Sequence, residues 1–197
     1  MVKSINFSGT RWNVKDGNMK GPGPNNWSEQ NVFVDNDGAL HLRIREIDGI
    51  WYCAEISSVN NVQYGEYTFY LSTNIENLDP KMMVGLFLYE DDQNEIDIEF
   101  INKRAIYSIQ PDEHMEFKLN LQGSYSEHKI LFHPKRVEFS SYHGHNSGHL
   151  IQHWKPRIIC DLTLSKTFLH VNFWLKHGIF PKTDAEIVIK SVKIEVC

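Results

Sequence analysis

The chain has 197 residues and a formal net charge of −5, enough length for one domain with a real core. Its 41% hydrophobic and 23% charged residues exclude a largely disordered chain. It has no basic stripe and no apolar run of bilayer length, so neither nucleic acid nor a membrane is an expected partner; a mildly acidic surface suits a neutral or cationic ligand.

The opening residues Met1 to Phe7 lack the apolar stretch of a signal peptide, so a cytoplasmic protein or a mature secreted form is expected. Gly21-Pro22-Gly23-Pro24-Asn25-Asn26 reads as a loop, without the lysine and following helix of a phosphate-binding loop. Asn31 to Val34 and Ala39 to Arg45 read as two strands around Asp35-Asn36-Asp37-Gly38, a strong hairpin signal. Alternation then predicts strands over Ile50 to Ile56, Gly65 to Leu71, Met83 to Tyr89, Glu95 to Phe100, Lys129 to Phe132, Val137 to Tyr142, Phe168 to Leu175 and Glu186 to Val196. Ser72 to Lys81, Gln110 to Lys118 and the Gly/His-rich Tyr142 to His153 read as long loops, and Lys155 to Leu162 fits no pattern. No useful stretch has helical periodicity, and no linker or repeat divides the chain. The expectation is an all-β antiparallel sandwich forming one domain over residues 1–197.

The most informative run is Asn94-Glu95-Ile96-Asp97-Ile98-Glu99-Phe100. Side chains alternate faces in a strand, so Glu95, Asp97 and Glu99 share one face and Ile96, Ile98 and Phe100 the other. Three like charges in a row destabilise a sheet unless something uses them. A retaining glycosidase would: it needs two carboxyl groups close together, one nucleophile and one acid/base. The Cα atoms of Glu95 and Glu99 are roughly 13 Å apart on a strand, a gap that two leaning glutamates and sheet curvature narrow. Crowding also pushes carboxyl pKa values apart, leaving one acid and one base. A hard-cation site such as calcium and a plain solvated acidic strand fit the same spacing.

This run closely resembles the E-x-D-x-E-F signature of glycoside hydrolase family 16, in the spacing of its lichenase and xyloglucan branch. Trp27-Ser28-Glu29-Gln30 with Asn36-Asp37-Gly38, Tyr64-Gly65-Glu66-Tyr67-Thr68-Phe69 and Asn172-Phe173-Trp174 resemble further family segments in the same order, from about Trp27 to the C-terminus. The resemblance implies a concanavalin A-like jelly roll with a concave cleft. It also implies Glu95 as nucleophile, Glu99 as acid/base and Asp97 as the group that orients and tunes them. It implies a polysaccharide or oligosaccharide substrate, a β-glucan first, cleaved internally with retention, and a transglycosylase or a non-catalytic carbohydrate-binding protein as alternatives. No cofactor is required, a structural calcium on the convex side is compatible, and a monomer is expected. Trp174 and Asn172 are placed in the cleft by the resemblance; Trp27, Tyr64 and Tyr107 are further sugar-stacking candidates, while Trp12 reads as structural.

The chain departs from the pattern in several places: Ser57 stands where the family often has arginine, Ile101-Asn102 where Leu-Gly is usual, and Leu131-Phe132-His133-Pro134 where the family has Asp-Trp before a proline. Cys53 sits where lichenases have half a disulfide, but the partner position near Asn25 holds no cysteine. Three cysteines, Cys53, Cys160 and Cys197, form no framework and no metal knuckle, and Cys53 and Cys160 read as structural thiols. His143, His145, His149 and His153 have spacings a zinc site could use, but no cysteine or carboxylate accompanies them, which favours a solvated loop. Ser57-Ser58 has no nucleophile-elbow context.

Overall fold

The computed structural model describes residues 2–157, 162–176 and 179–197. Seventeen strands run along the chain: β1 (Ser4–Phe7), β2 (Thr10–Val14), β3 (Gly17–Lys20), β4 (Asn25–Trp27), β5 (Val32–Val34), β6 (Leu40–Ile47), β7 (Ile50–Asn61), β8 (Gly65–Leu71), β9 (Met82–Asp91), β10 (Asn94–Ile101), β11 (Arg104–Gln110), β12 (Glu113–Lys118), β13 (Ser126–His133), β14 (Arg136–His143), β15 (His149–Trp154), β16 (Phe168–Leu175) and β17 (Ala185–Val196). Among the described residues there is no α-helix.

The pairings build two antiparallel sheets. One has the order β1-β2-β7-β16-β9-β10-β11-β12. The other has the order β5-β6-β17-β8-β13-β14-β15. The long β7 leaves β6 through the Asp48-Gly49 turn and crosses into the first sheet, so the β6–β7 hairpin joins the two layers. β3 and β4 fold beside it, with Trp27 paired in parallel to Cys53. This is the jelly-roll sandwich expected.

Alternation explains why the layers pack. Ile96, Ile98 and Phe100 of β10 are 0%, 0% and 2% exposed, and they meet the second sheet, where Phe100 lies 4.6 Å from the His128 ring of β13. Each such side chain contributes about 1.5–3 kcal/mol by leaving water, so the apolar face of β10 anchors the strand whose other face is acidic. The hairpin at Asp35–Gly38 forms as expected: Asp35 Oδ1 accepts from the Asp37 and Ala39 amides, and Gly38 takes the positive φ of 81° that closes the turn.

Several expected loops are strands. Gln110 to Lys118 is mostly β12, paired along its length with β11. Tyr142 to His153 is the β14–β15 hairpin, with His143 directly opposite His149. Asn25 and Asn26 begin β4. Of these, β12 and β15 lie at sheet edges, where only one face is covered, so their alternation is muted. The stretch Ser72 to Lys81 is a loop with one 3-10 turn at Ile75–Asn77. Residues 158–161 of the ambiguous segment 155–162, Cys160 among them, lie outside the described residues.

Candidate active site

The register of the first sheet places the acids in cross-strand rows. Residues directly opposite one another in an antiparallel sheet project from the same face. Glu99 lies opposite Gly85 of β9, Gly85 opposite Asn172 of β16, and Asn172 opposite Glu55 of β7. Asp97 lies opposite Phe87, then His170, then Ser57, while Glu95 lies opposite Tyr89. This face opens into a cleft of about 660 Å³ lined by Glu95, Glu99, Glu55, His170, Asn172 and Trp174, with Phe87, Tyr89 and Asp92 beside them. Its rim is the Lys20–Gly23 segment at the end of β3.

Gly85 is required at the centre of this floor. A Cβ there would come 2.5 Å from Asn172 Oδ1, so only glycine lets the Asn172 side chain lie across the sheet between Glu99 and Glu55. Asp97 is 1% exposed and accepts from Gln110 Nε2 at 3.4 Å. Among the described residues, two buried side-chain oxygens lack a hydrogen-bond partner, Asp97 Oδ1 and Asn172 Oδ1. A buried acceptor left unpaired costs about 1–3 kcal/mol; Asn172 lines the cleft, and Asp97 lies beneath it between Glu95 and Glu99 on the strand, where a carboxyl proton would relieve it.

The electrostatics follow from burial and crowding. Burial pushes the Glu95 carboxyl up to about 8, reinforced by the charges of Glu99, Asp92 and Glu55. Asp97 is raised well above its ordinary range by burial and then by Glu99 and Glu95. Glu99 is raised by burial, with Lys176 pulling the other way. Burial and mutual repulsion thus favour the protonated form across the three carboxyls.

Beside them sits a group that the sequence did not single out. Glu55 is 5% exposed, and its carboxylate contacts Lys15 Nζ at 2.8 Å and His170 Nδ1 at 3.2 Å. Burial alone would raise its pKa, but the His170 hydrogen bond and the Lys15 charge more than offset this and hold it low. His170 stacks on Phe87 with centroids 5.0 Å apart and meets Tyr89 edge-on at 5.6 Å. The signal for His170 was present: it alternates with Asn172 and Trp174 on one strand, so a residue that shares their face was legible once those two were placed.

The predicted sugar contacts divide. Asn172 and Trp174 line the cleft with the acids. Tyr107 does not: it pairs with Ile98 and so faces the interlayer core, fully buried, its ring against Phe139 and its hydroxyl donating to Ser141 Oγ at 2.7 Å. Trp27 is 1% exposed and lies under the rim, donating to the Lys20 carbonyl while Lys15 Nζ sits 4.3 Å above its ring; it braces the cleft wall without facing the cleft. Tyr64 precedes β8 in the other sheet, packed on Phe132 at 4.8 Å. In each case aromatic identity gave a candidate, and strand register decided the face. Trp12 is fully buried, as a structural residue should be.

Among the described residues no group of three or more His, Cys, Asp or Glu could hold a metal ion, so no calcium or zinc ligands are assigned. His145 Nε2 bonds the Leu71 carbonyl and His153 contacts Glu138. Cys53 is a free buried thiol pushed up to about 12 by desolvation, which leaves it inert.

No protein-family model matches the chain, and no curated protein matches it in sequence. Solved structures do match. A β-glucanase of Bacillus licheniformis superposes with a TM-score of 0.76 over 97% of both chains at 17% identity. A glycosyl hydrolase family 16 protein of Mycobacterium smegmatis gives 0.70 over 93% of this chain and 91% of its own at 13% identity. An immunostimulatory antigen of Mycobacterium tuberculosis described as a pseudo β-1,3-glucanase gives 0.69 over 94% and 91% at 18% identity. The chain has the β-jelly-roll fold of the family 16 glucanases.

Proposed function

We propose that this chain is a divergent member of glycoside hydrolase family 16 that cleaves a β-linked polysaccharide internally, with retention of configuration. The observation that carries the reading is the row of Glu95, Asp97 and Glu99 on one strand face, with Glu95 and Glu99 both opening into a cleft that also holds Asn172 and Trp174. In the reaction the Glu95 carboxylate attacks the anomeric carbon while Glu99 gives its proton to the departing glycosidic oxygen. Water then attacks the glycosyl-enzyme, Glu99 takes its proton, and Glu95 leaves as carboxylate. Asp97, buried between them in sequence, accepts from Gln110 and holds or releases a proton as its neighbours change charge. The face of Trp174 offers a surface for a sugar ring.

The test is release of reducing ends from mixed-linkage glucan, xyloglucan, laminarin, agarose and carrageenan. Glu95→Gln and Glu99→Gln should each lower kcat/KM by at least about 10²–10⁴-fold. Unchanged turnover in Glu95→Gln overturns the mechanism. A second reading, a carbohydrate-binding protein without turnover, is favoured by one observation: with its carboxyl at about 8, Glu95 is mostly protonated at neutral pH and so a weak nucleophile. Binding of one of these polymers without new reducing ends at any pH between 5 and 9 would establish that reading.

A further inference from the structure

The cleft does not end at His170. A second hollow of about 720 Å³, lined by Asn13, Ser57, Asp16 and Glu29, adjoins it, and both share Lys15, Lys20, Glu55 and His170. His170 therefore stands at the junction of a groove that crosses the strands from β10 towards β2. It lies two strand spacings from Asp97 in the same cross-strand row, about 10 Å away. Opposite it on β7 is Ser57, whose short side chain leaves room for the imidazole; a long basic side chain there would compete with the ring for this space.

Three contacts fix the ring. Phe87 stacks on it, Tyr89 meets its edge, and Glu55 Oε1 takes Nδ1. Glu55 is itself held as a carboxylate by Lys15. A carboxylate accepts only, so the neutral ring must carry its proton on Nδ1. That leaves Nε2 as a bare acceptor. Among the described residues Nε2 has no partner, although the residue lines both hollows.

We infer that His170 is a specificity-determining residue of the groove, its Nε2 accepting a hydrogen bond from a hydroxyl of an uncharged sugar unit bound about two strands from the acid row. The inference rests on the sugar-binding reading above. A uronate at the same place would meet a lone pair, with Glu55 behind it, and is disfavoured.

The experiment measures binding of mixed-linkage gluco-oligosaccharides and laminari-oligosaccharides by calorimetry in the Glu95→Gln background, where ligand is not consumed. His170→Phe, which keeps the stack on Phe87, is the partner variant. At pH 7.5 the affinity should fall about tenfold on His170→Phe. Glu55, Tyr89, Lys15, Lys20, Asp92 and Glu99 line the cleft in both proteins, and Glu55 loses its His170 contact in the variant, so the difference reads the imidazole together with that hydrogen bond. Nitrogen-15 spectra of the His170-containing protein should show the neutral ring as the Nδ1–H tautomer, with the Nε2 signal shifted by ligand. Equal affinity in the two proteins, or a neutral ring in the free protein with its proton on Nε2 and none on Nδ1, overturns the inference while leaving the glycosidase reading intact. Binding of no oligosaccharide by either protein overturns both. Binding with the predicted His170 dependence, but no cleavage by the chain with Glu95 in place, sinks only the catalytic reading.

Discussion

At the scale of single residues, the acid row shows how burial sets chemistry. An isolated glutamate titrates near 4.5, yet Glu95 reaches about 8 because its carboxyl is largely desolvated and faces like charges. If Glu95 must be ionised to attack, the acid limb of kcat/KM should lie nearer pH 8 than pH 4.5. A pH–rate profile on the best polymer checks this, and a limb below pH 5 would assign the nucleophile's role elsewhere. The identities of Glu95, Asp97 and Glu99 and their shared face were legible from period-2 alternation. Their raised pKa values were not, because desolvation depends on Phe87, Tyr89 and Trp174, which other strands bring in.

At the scale of elements, β9 is the hidden partner of the acid strand. Its sequence, Met82 to Asp91, reads simply as an apolar strand, and Gly85 looks like an interruption. Register explains it: Gly85 is the one position between Glu99 and Asn172. Gly85→Ala should leave the fold nearly intact, since the clash at 2.5 Å is with the end of a side chain. The displaced Asn172 should raise KM severalfold with a melting temperature within a few degrees of the parent. Kinetics alongside a thermal melt tests this; a large loss of stability with unchanged KM would contradict the role given to Asn172. The edge elements β12 and β15 were the hardest to read, because a strand paired on one side and half solvated shows little contrast between its faces.

At the scale of the whole molecule, the interlayer core contains a histidine whose charged form burial disfavours. His128 is fully buried between Ser126 Oγ at 2.9 Å and Ser141 Oγ at 2.7 Å, and desolvation lowers its pKa to about 3. An unfolded histidine titrates near 6.5, so its folded-state pKa is depressed. Above pH 6.5 the ring is neutral in both states and has no effect on pH dependence. Between 6.5 and about 3 only the unfolded chain gains the proton, and stability falls by up to about 1.4 kcal/mol per pH unit. The raised acids act in the opposite sense, relieving the fold as pH drops from 8 towards 4.5. Urea unfolding at pH 7, 5.5 and 4 should therefore show a smaller acid loss in His128→Gln than in the parent, whatever the offset at pH 7. Equal slopes would show that the imidazole is charged, or hydrated, in the folded state.

The sequence by itself determined the alternation, the Asp-Gly hairpin, the all-β class and the acid row, since each is written in neighbouring residues and in the two-residue period of a strand. Tertiary structure alone decided which aromatics face the cleft, that Glu55, Lys15 and His170 converge beside the acids, and that Tyr107 and Trp27 do not face the cleft. Those outcomes depend on register between strands distant in the chain: Glu55 and His170 are 115 residues apart, and a shift of one residue in either strand would turn its side chain to the other face.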